Sequence, residues 1–194
     1  MSRPDSAGPD LLGSEPFDRQ AVLEGERILL RPYRPDDYAA LFAVASDRLI
    51  WELHPAHDRW QEPVFRAFMA DAVEKGGTLV AIDRASGEII GSSRFQGLDA
   101  ERSQVEIGWT FLARKCWGGA YNREMKRLML AQAFTGVERV VFHIGAENIR
   151  SRKACEAIGG RLTDETDVVE RGGAMVLHVI YEITRESFAS GPLS

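Results

Sequence analysis

The stretch "EIGWTFLARKCWGGAYNRE", residues 106–124, joins a β-rich run to the beginning of a helix-like run through two adjacent glycines. Glycine adopts positive φ readily and allows another backbone or a ligand to come close. Gly118 and Gly119 therefore indicate either a sharp corner in the chain or the close approach of a ligand.

The charge around the two glycines favours a ligand, and an anionic one. Residues 113–127 carry a net charge of +4, whereas the whole chain carries −5. Backbone N–H groups exposed by a glycine turn, followed at once by a helix N-terminus, suit a phosphate or pyrophosphate. The sequence contains neither GxxxxGK[ST] nor GxGxxG after the strand, which argues against nucleotide hydrolysis and dinucleotide redox chemistry. The alternative is a plain glycine turn before a helix with a solvated basic face.

The run before the glycines alternates in the manner of a half-buried strand. One predicted face holds Val105, Ile107, Trp109 and Phe111, and the other holds Gln104, Glu106, Gly108 and Thr110. Glu106 stands beside Gly108, which has no side chain, and this indicates an acidic group where something approaches the strand closely. The alternative is a solvent-facing glutamate beside a bulge glycine.

The segment "ENIRSRKACEAIGG", residues 147–160, predicts a second helix that is capped by Asn148 and ended by two glycines. Ser151 and Cys155 fall on one stripe of this helix. Because the helix follows the next strand of the same crossover, its N-terminus should face the helix of the glycine loop. Asn148 and Ser151 would then point into a shared cleft. The alternative is structural: the Asn caps the helix, and the Ser and Cys pack.

The order of the predicted elements indicates an α/β fold. A strand at 26–33 and helices at 35–47 and 62–75 precede three β-rich runs that form an antiparallel meander. A β–α–β–α crossover and a closing hairpin follow. We expect a mixed central sheet of about six to seven strands with helices on both faces, in one domain of residues 26–185. Residues 1–25 are expected to form a tail or irregular arm, and residues 186–194 a C-terminal tail.

Composition narrows the class of protein further. The chain has 194 residues, of which 44% are apolar, enough for one buried core. Its net negative charge and its lack of a long Lys/Arg run argue against binding to nucleic acid or to a membrane surface. Neither the two cysteines nor the pair His54 and His57 has the spacing or partners of a metal site. Without a secretion signal or a spanning apolar stretch, we expect a cytoplasmic protein that holds no metal.

Together the two quoted stretches resemble the GCN5-related N-acetyltransferase (GNAT) superfamily, and within it the branch of ribosomal-protein N-terminal acetyltransferases. The resemblance covers roughly residues 26–185. Residues 106–124 are similar to the family's strand, pyrophosphate loop and helix, and residues 147–160 to its Asn-x-x-Ser/Ala helix. Lys115, Gly118 and Ala120 stand in the loop pattern Gln/Arg-x-x-Gly-x-Gly/Ala, from which Lys115 departs.

The resemblance implies the acyl-CoA N-acyltransferase fold and transfer of the acetyl group of acetyl-CoA, as co-substrate, to a primary amine. The acceptor would be a protein N-terminus or a small-molecule amine, and the protein a monomer or homodimer. In the family, loop N–H groups hold the pyrophosphate, while the strand segment and the Asn bind the pantetheine. The residues implied to bind the coenzyme are Trp109, Phe111, Leu112, Arg114, Lys115, Trp117, Gly118, Gly119, Ala120, Tyr121, Asn148 and Ser151.

Acetyl transfer to an amine requires a group that takes the proton of the ammonium, since an alkyl ammonium is mostly protonated at pH 7. Glu106, on the strand that would hold the thioester, is the candidate base, and His143 on the next strand ranks second. Backbone N–H groups near Phe111 or Leu112 would stabilise the oxyanion.

The proton donor to the leaving thiolate is less clearly marked in the sequence. Many relatives carry a Tyr seven residues after the Asn, and in this chain Cys155 stands at that position. Cys155 is therefore a candidate general acid, and Ser151 or water is the alternative.

Two other classes of function stay open at this point. A non-catalytic acyl-CoA-binding or sensing module would keep the loop and Asn148 but would not need Glu106. A nucleotide-binding or RNA-binding α/β domain would use the same basic patch, although the net acidity and the lack of interleaved exposed aromatic residues argue against it.

Overall fold

The computed structural model describes residues 16–171 and 173–194. In this part of the chain, eight strands form one sheet in the order β1-β2-β3-β4-β5-β6-β8-β7. The strands are β1 (Leu23–Glu24), β2 (Ile28–Pro32), β3 (Thr78–Asp83), β4 (Ile89–Asp99), β5 (Gln104–Leu112), β6 (Arg139–Gly145), β7 (Arg161–Arg171) and β8 (Ala174–Thr184). The mixed sheet confirms the predicted fold class, with the short β1 beyond the predicted number of strands.

Five α-helices flank the sheet in the described residues. They are α1 (Tyr38–Ala45), α2 (Glu62–Lys75), α3 (Ala120–Ala133), α4 (Ile149–Ala157) and α5 (Arg185–Ala189). Three short 3-10 turns lie at Pro35–Asp37, Arg48–Ile50 and Arg114–Cys116. The helices predicted from the apolar stripes and the glycine stops are confirmed to within a few residues. None of the described helices is long and apolar enough to cross a membrane.

Two hydrophobic cores lie on opposite faces of the sheet, because successive strand residues point to opposite sides. In β3, Leu79 and Ala81 belong to one core and Val80 to the other. The first, the α3/α4 core, includes Met125, Met129, Leu130, Cys155 and Ile158. The second, the α1/α2 core, includes Leu41, Trp51, Phe65, Phe68 and Met69.

The sheet opens between β5 and β6. These are the parallel neighbours of the sheet, and their pairing covers only Gln104–Glu106 against Arg139–Val141. Beyond this point β5 stays with β4 as far as Leu112, whereas β6 stays with β8 as far as Gly145. We call this opening the wedge. Within the described residues the β5 edge along the wedge has no strand partner, so its backbone groups face the gap.

A β-bulge changes which face the second half of β5 presents. Between the pairs Ser92↔Phe111 and Arg94↔Gly108, β5 advances by one residue more than β4. Trp109 takes φ 52, a left-handed conformation that is uncommon for a residue with a side chain. The predicted alternation was therefore wrong after Gly108, because an extra residue reverses the order of faces.

The distribution of the β5 side chains between the two cores shows this reversal of faces. Val105 and Ile107 both lie in the α3/α4 core, as expected for two residues on one face of a regular strand. Trp109 and Phe111 instead pack in the α1/α2 core, and Leu112 returns to the α3/α4 core.

The packed fold extends past both predicted boundaries of the domain. Phe17, in the predicted N-terminal arm, is 5% exposed, and its ring meets that of Phe95 edge-on at 5.3 Å. At the other end, the predicted C-terminal tail contains most of α5, and Leu193 is buried in the α3/α4 core. In each of these two segments, one large apolar side chain packs into the domain. Of the predicted arm, residues 1–15 lie outside the described residues.

Candidate active site

The glycine loop makes both a corner and an open surface. Gly118 has φ 93 and Gly119 has φ 129, conformations that L side chains rarely adopt. A Cβ built on either glycine would meet no atom within 4 Å, so the space beside them is clear. Gly119 is the N-cap of α3 and no side chain caps the helix. The first N–H groups of α3, from Ala120 onwards, are therefore available to an anion.

The two basic residues before the loop are engaged by acids. Arg114 pairs with Asp47 and Lys115 pairs with Glu88; the Asp47 side chain is partly buried and the other three are exposed to solvent. The Glu88 carboxylate raises the pKa of Lys115. Both cations add positive charge beside the loop, and each is paired with an acid from outside the loop.

Two aromatic residues of the loop have defined partners. Trp117 donates from Nε1 to the carbonyl of Leu112 at 3.0 Å, and the Arg150 guanidinium lies 4.3 Å from the centre of its ring. Because Trp117 follows β5 and Arg150 belongs to α4, this stack joins the two sides of the wedge. Tyr121 donates from its hydroxyl to Asp83 at 3.2 Å.

Asn148 and Ser151 begin α4 at the side of the wedge formed by β6. The Asn148 side-chain oxygen accepts the N–H of Ser151 at 3.2 Å, which confirms the predicted cap. Asn148 is buried, and its carboxamide N–H groups have no partner among the residues described. The Asn148 nitrogen is not among the fully enclosed unpartnered atoms of the described residues, so these donors are open to a ligand carbonyl. The Ser151 side chain is half-buried next to it.

Cys155 is a core residue. It is 5% exposed and belongs to the α3/α4 core. Burial raises the pKa of its thiol to about 12. Proton transfer from such a thiol to a thiolate of ordinary pKa is uphill, so its position does not favour the predicted role of general acid.

Glu106 stands at the point where β5 and β6 separate. Its carboxylate is half-buried, and burial raises its pKa from 4.5 to about 7, with a further rise from Asp167. The backbone N–H of His143 and the charge of Arg94 partly offset the rise. A Cβ on Gly108 would lie 3.0 Å from Glu106 Oε1, so the glycine makes room for the carboxylate. The predicted pairing of an acid with a glycine is thus a real contact.

Arg94 is a residue of this site that the sequence did not single out. It is 1% exposed on β4, and Nη1 donates to Asp71 of α2 at 2.6 Å and to Gln96 at 2.9 Å. Its guanidinium carbon lies 4.9 Å from the centre of the Trp109 ring. Only its place inside a short β-rich run hinted at burial, since Asp71 is remote in the sequence.

Lys126 is a second residue that was missed. The basic run on α3 suggested a solvated lysine, yet Lys126 is 6% exposed. Its Nζ donates to Thr110 Oγ1 at 2.7 Å and to Ser93 Oγ at 3.1 Å. Burial lowers its pKa to about 7. A signal was available, because Lys126 precedes Met129 by three residues and Leu130 by four, on the inner face of the helix.

The histidines do not assemble a metal centre. His143 Nδ1 lies 3.6 Å from Asp167 Oδ2, and burial lowers the pKa of His143. His54 accepts the N–H of Ala56 at Nδ1, and burial together with nearby cations holds its pKa well below 6.5. Across residues 16–171 and 173–194, no three His, Cys, Asp or Glu side chains are grouped so as to hold a metal ion.

Solved structures of other proteins share this architecture. A GCN5-related N-acetyltransferase from Brucella melitensis superposes with a TM-score of 0.73 at 21% identity, over 92% of this chain and 86% of that one. The acetyltransferase (GNAT family) from Bacillus anthracis gives 0.71 at 21% identity, over 86% and 99%. Mycobacterium smegmatis RimJ, solved in complex with CoA-disulfide, gives 0.63 at 20% identity, over 86% of each chain. At these identities the likeness concerns the fold.

The family itself is shown by the sequence match. The family model described as an acetyltransferase (GNAT) domain matches residues 27–161, which is well over half of the chain. The matched range contains the wedge, the glycine loop and both helices that flank them. The chain therefore belongs to the GNAT acetyltransferase family.

Proposed function

We propose that this protein is an N-acetyltransferase that moves the acetyl group of acetyl-CoA to a primary amine by direct attack in a ternary complex. The observation that carries the proposal is Glu106, a half-buried carboxylate with its pKa raised to about 7, at the point where the wedge begins. A general base works best when its pKa lies near the working pH. An acyl-CoA-binding module without catalysis would have no use for such a group.

The coenzyme fits the features around the wedge. Gly118, Gly119 and the uncapped N-terminus of α3 offer backbone N–H groups to a pyrophosphate. The unpaired edge of β5, from Trp109 to Leu112, can hydrogen-bond an extended pantetheine arm as a further strand would. Asn148 offers its carboxamide on the opposite side of the wedge. The complex of RimJ with CoA-disulfide supports a CoA site on this fold.

Different residues of this chain then have different roles in the reaction. Acetyl-CoA, when bound, supplies an acetyl thioester that an uncharged amine can attack. Glu106 accepts the ammonium proton of the acceptor, directly or through a water. Backbone N–H groups near Phe111 and Leu112 face the charge that develops on the carbonyl oxygen. Because Cys155 is buried, the proton for the departing thiolate comes from Ser151 or from solvent.

The first experiment separates binding from catalysis. Thermal unfolding with acetyl-CoA should show stabilisation, about 2.7 kcal/mol at 100 times the dissociation constant. Thiol release is then measured with a panel of amines and peptides with free N-termini. If millimolar acetyl-CoA leaves the unfolding temperature unchanged, both the enzyme and the sensing module are excluded.

A variant then tests the role of Glu106. Glu106→Gln should lower kcat/KM by about 10²- to 10⁴-fold and abolish the rise of activity as pH increases through about 7. Glu101→Gln, a change at an exposed glutamate in the turn between β4 and β5, is the matched control and should leave both unchanged. An unaltered pH profile in Glu106→Gln on a good substrate would refute the role of the base.

A further inference from the structure

Arg59 is a buried cation without an anionic partner. It lies between α1 and α2, is 4% exposed, and its guanidinium carbon is 5.2 Å from the centre of the Trp51 ring and 4.2 Å from that of Phe68. Among residues 16–171 and 173–194, no side chain or carbonyl accepts a hydrogen bond from its guanidinium, and no acid forms an ion pair with it. Buried arginines are almost always paired, because removing the charge from water is costly.

Arg94 shows what the ordinary solution looks like nearby. It is as deeply buried, but Asp71 meets it at 2.6 Å. The enclosed side-chain nitrogens without a partner in the described residues are Arg94 Nε and Arg171 Nε, so the Arg59 nitrogens keep some contact with solvent. The Arg59 guanidinium is therefore not completely sealed from water.

A chain of contacts through Phe68 and Arg94 links Arg59 to Glu106. The Phe68 ring has Arg59 at 4.2 Å and Arg94 at 5.4 Å. Arg94 in turn is close enough to Glu106 to lower its pKa. The arrangement sets Arg94 and Phe68 between the base and the unpaired cation. A molecule with its amine at Glu106 would extend past these two side chains to place a second group at Arg59.

The charges around Arg59 indicate that a group bound to it would carry a single negative charge. Arg171 and Arg94 both lower the pKa of Arg59, while Asp58 and Asp71 raise it. Burial is the main cause of the shift, which brings the pKa to about 9 and leaves the side chain protonated at pH 7. His54 and His178 have lowered pKa values and are uncharged at neutral pH. Three arginines against two aspartates leave one positive charge unmatched.

We propose that the acceptor is an amine that also carries a carboxylate, and that Arg59 binds this carboxylate. The inference rests on the proposed function and names its class of substrate. A guanidinium presents two parallel N–H donors that match a carboxylate, and the Trp51 and Phe68 rings hold its plane in place. Because the arginine is already buried and ordered, little rotamer entropy is lost when the ion pair forms.

The test compares acceptors that differ only in charge. Thiol release is measured for a set of amino acids and for the matching amino-acid amides, in the parent protein, Arg59→Met, Arg59→Lys and the control Arg66→Met. Arg66 is an exposed arginine of α2 that stacks on Tyr38 and pairs with Glu62. The parent protein and Arg66→Met should prefer the acid over the amide by roughly 10- to 100-fold in kcat/KM. Arg59→Met should bring this ratio close to one, and Arg59→Lys should keep part of it.

A second measurement does not depend on turnover. N-acetylglycine should raise the unfolding temperature of the parent protein more than N-acetylglycinamide does, and Arg59→Met should remove the difference. Without ligand, Arg59→Met should unfold at the parent temperature or higher, because it removes an uncompensated buried charge. A purely structural arginine would lower it.

The outcomes separate the two proposals. If amines are acetylated but the acid-to-amide ratio is the same in the parent and in Arg59→Met, the carboxylate site is wrong and the proposed function stands. If no amine is acetylated, the proposed function fails. In that case a carboxylate-dependent stabilisation that Arg59→Met abolishes still supports the site, and its absence overturns it.

Discussion

Replacing Lys126 by methionine should remove a pH dependence of the stability that a buried lysine imposes. Burial lowers the pKa of Lys126 from 10.5 to about 7 in the folded protein, whereas in the unfolded chain it returns to its ordinary value. Between these values the unfolded chain binds more protons, so the free energy of unfolding rises with pH. Stability due to this group is complete above pH 10.5 and is lost as pH falls through about 7.

The magnitude follows from the two pKa values. Integrated from pH 6 to pH 9, the lysine changes the free energy of unfolding by about 3 kcal/mol. Methionine fits the test because it has a similar length and no charge. The hydroxyls left behind remain satisfied, since Ser93 and Thr110 hydrogen-bond each other at 2.8 Å and both reach the carbonyl of Gly108.

The assay is urea unfolding followed by circular dichroism at several pH values between 6 and 9. The difference between Lys126→Met and the parent protein should shrink by about 3 kcal/mol from pH 6 to pH 9, with the variant the more favoured at low pH. Lys75→Met, at an exposed lysine, should show a constant difference. If the curves of Lys126→Met and the parent run parallel within about 0.5 kcal/mol, the buried lysine is not the source and the reasoning fails.

Two further substitutions test the surroundings of the site. Arg94→Met removes a charge that lowers the pKa of Glu106, so the acidic limb of the pH–rate profile should move to higher pH; an unmoved limb would show that the two groups are not coupled. Gly91→Ala would place a Cβ 2.0 Å from the carbonyl oxygen of Phe111, so we expect a loss of about 3 kcal/mol or more in urea unfolding; a loss below about 1 kcal/mol would contradict the close contact of β4 and β5.

The sequence predicted those parts of the molecule that depend on local periodicity. The stripe of α2, the glycines that begin α3 and the cap at Asn148 each have a cause within a few residues. The same holds for Glu106 beside Gly108, which are neighbours on one strand. These features were confirmed because neighbouring residues alone determine them.

The parts that escaped prediction depend on contacts between remote segments. Asp71 pairs with Arg94 across 23 positions. Arg59, in a loop without periodic pattern, meets Phe68 of the following helix α2. The depth of Cys155 in the core is another such feature, because the helical stripe alone does not give it. The prediction of which face each β5 residue occupies was wrong for another reason: one left-handed residue breaks an otherwise regular alternation.

Because of the bulge at Trp109, the number of residues in β5 decides which face of the sheet each later side chain occupies. Glu106 and Phe111 stand on the same side of the sheet although an odd number of positions separates them, because one residue is extra. Deleting Trp109, the extra residue, would restore regular alternation and leave Phe111 and Leu112 on the sides of the sheet where they now pack. Inserting one residue without a second bulge would instead send both side chains to the wrong cores. Along this strand, the chain should therefore tolerate the loss of the bulge residue better than the gain of one residue.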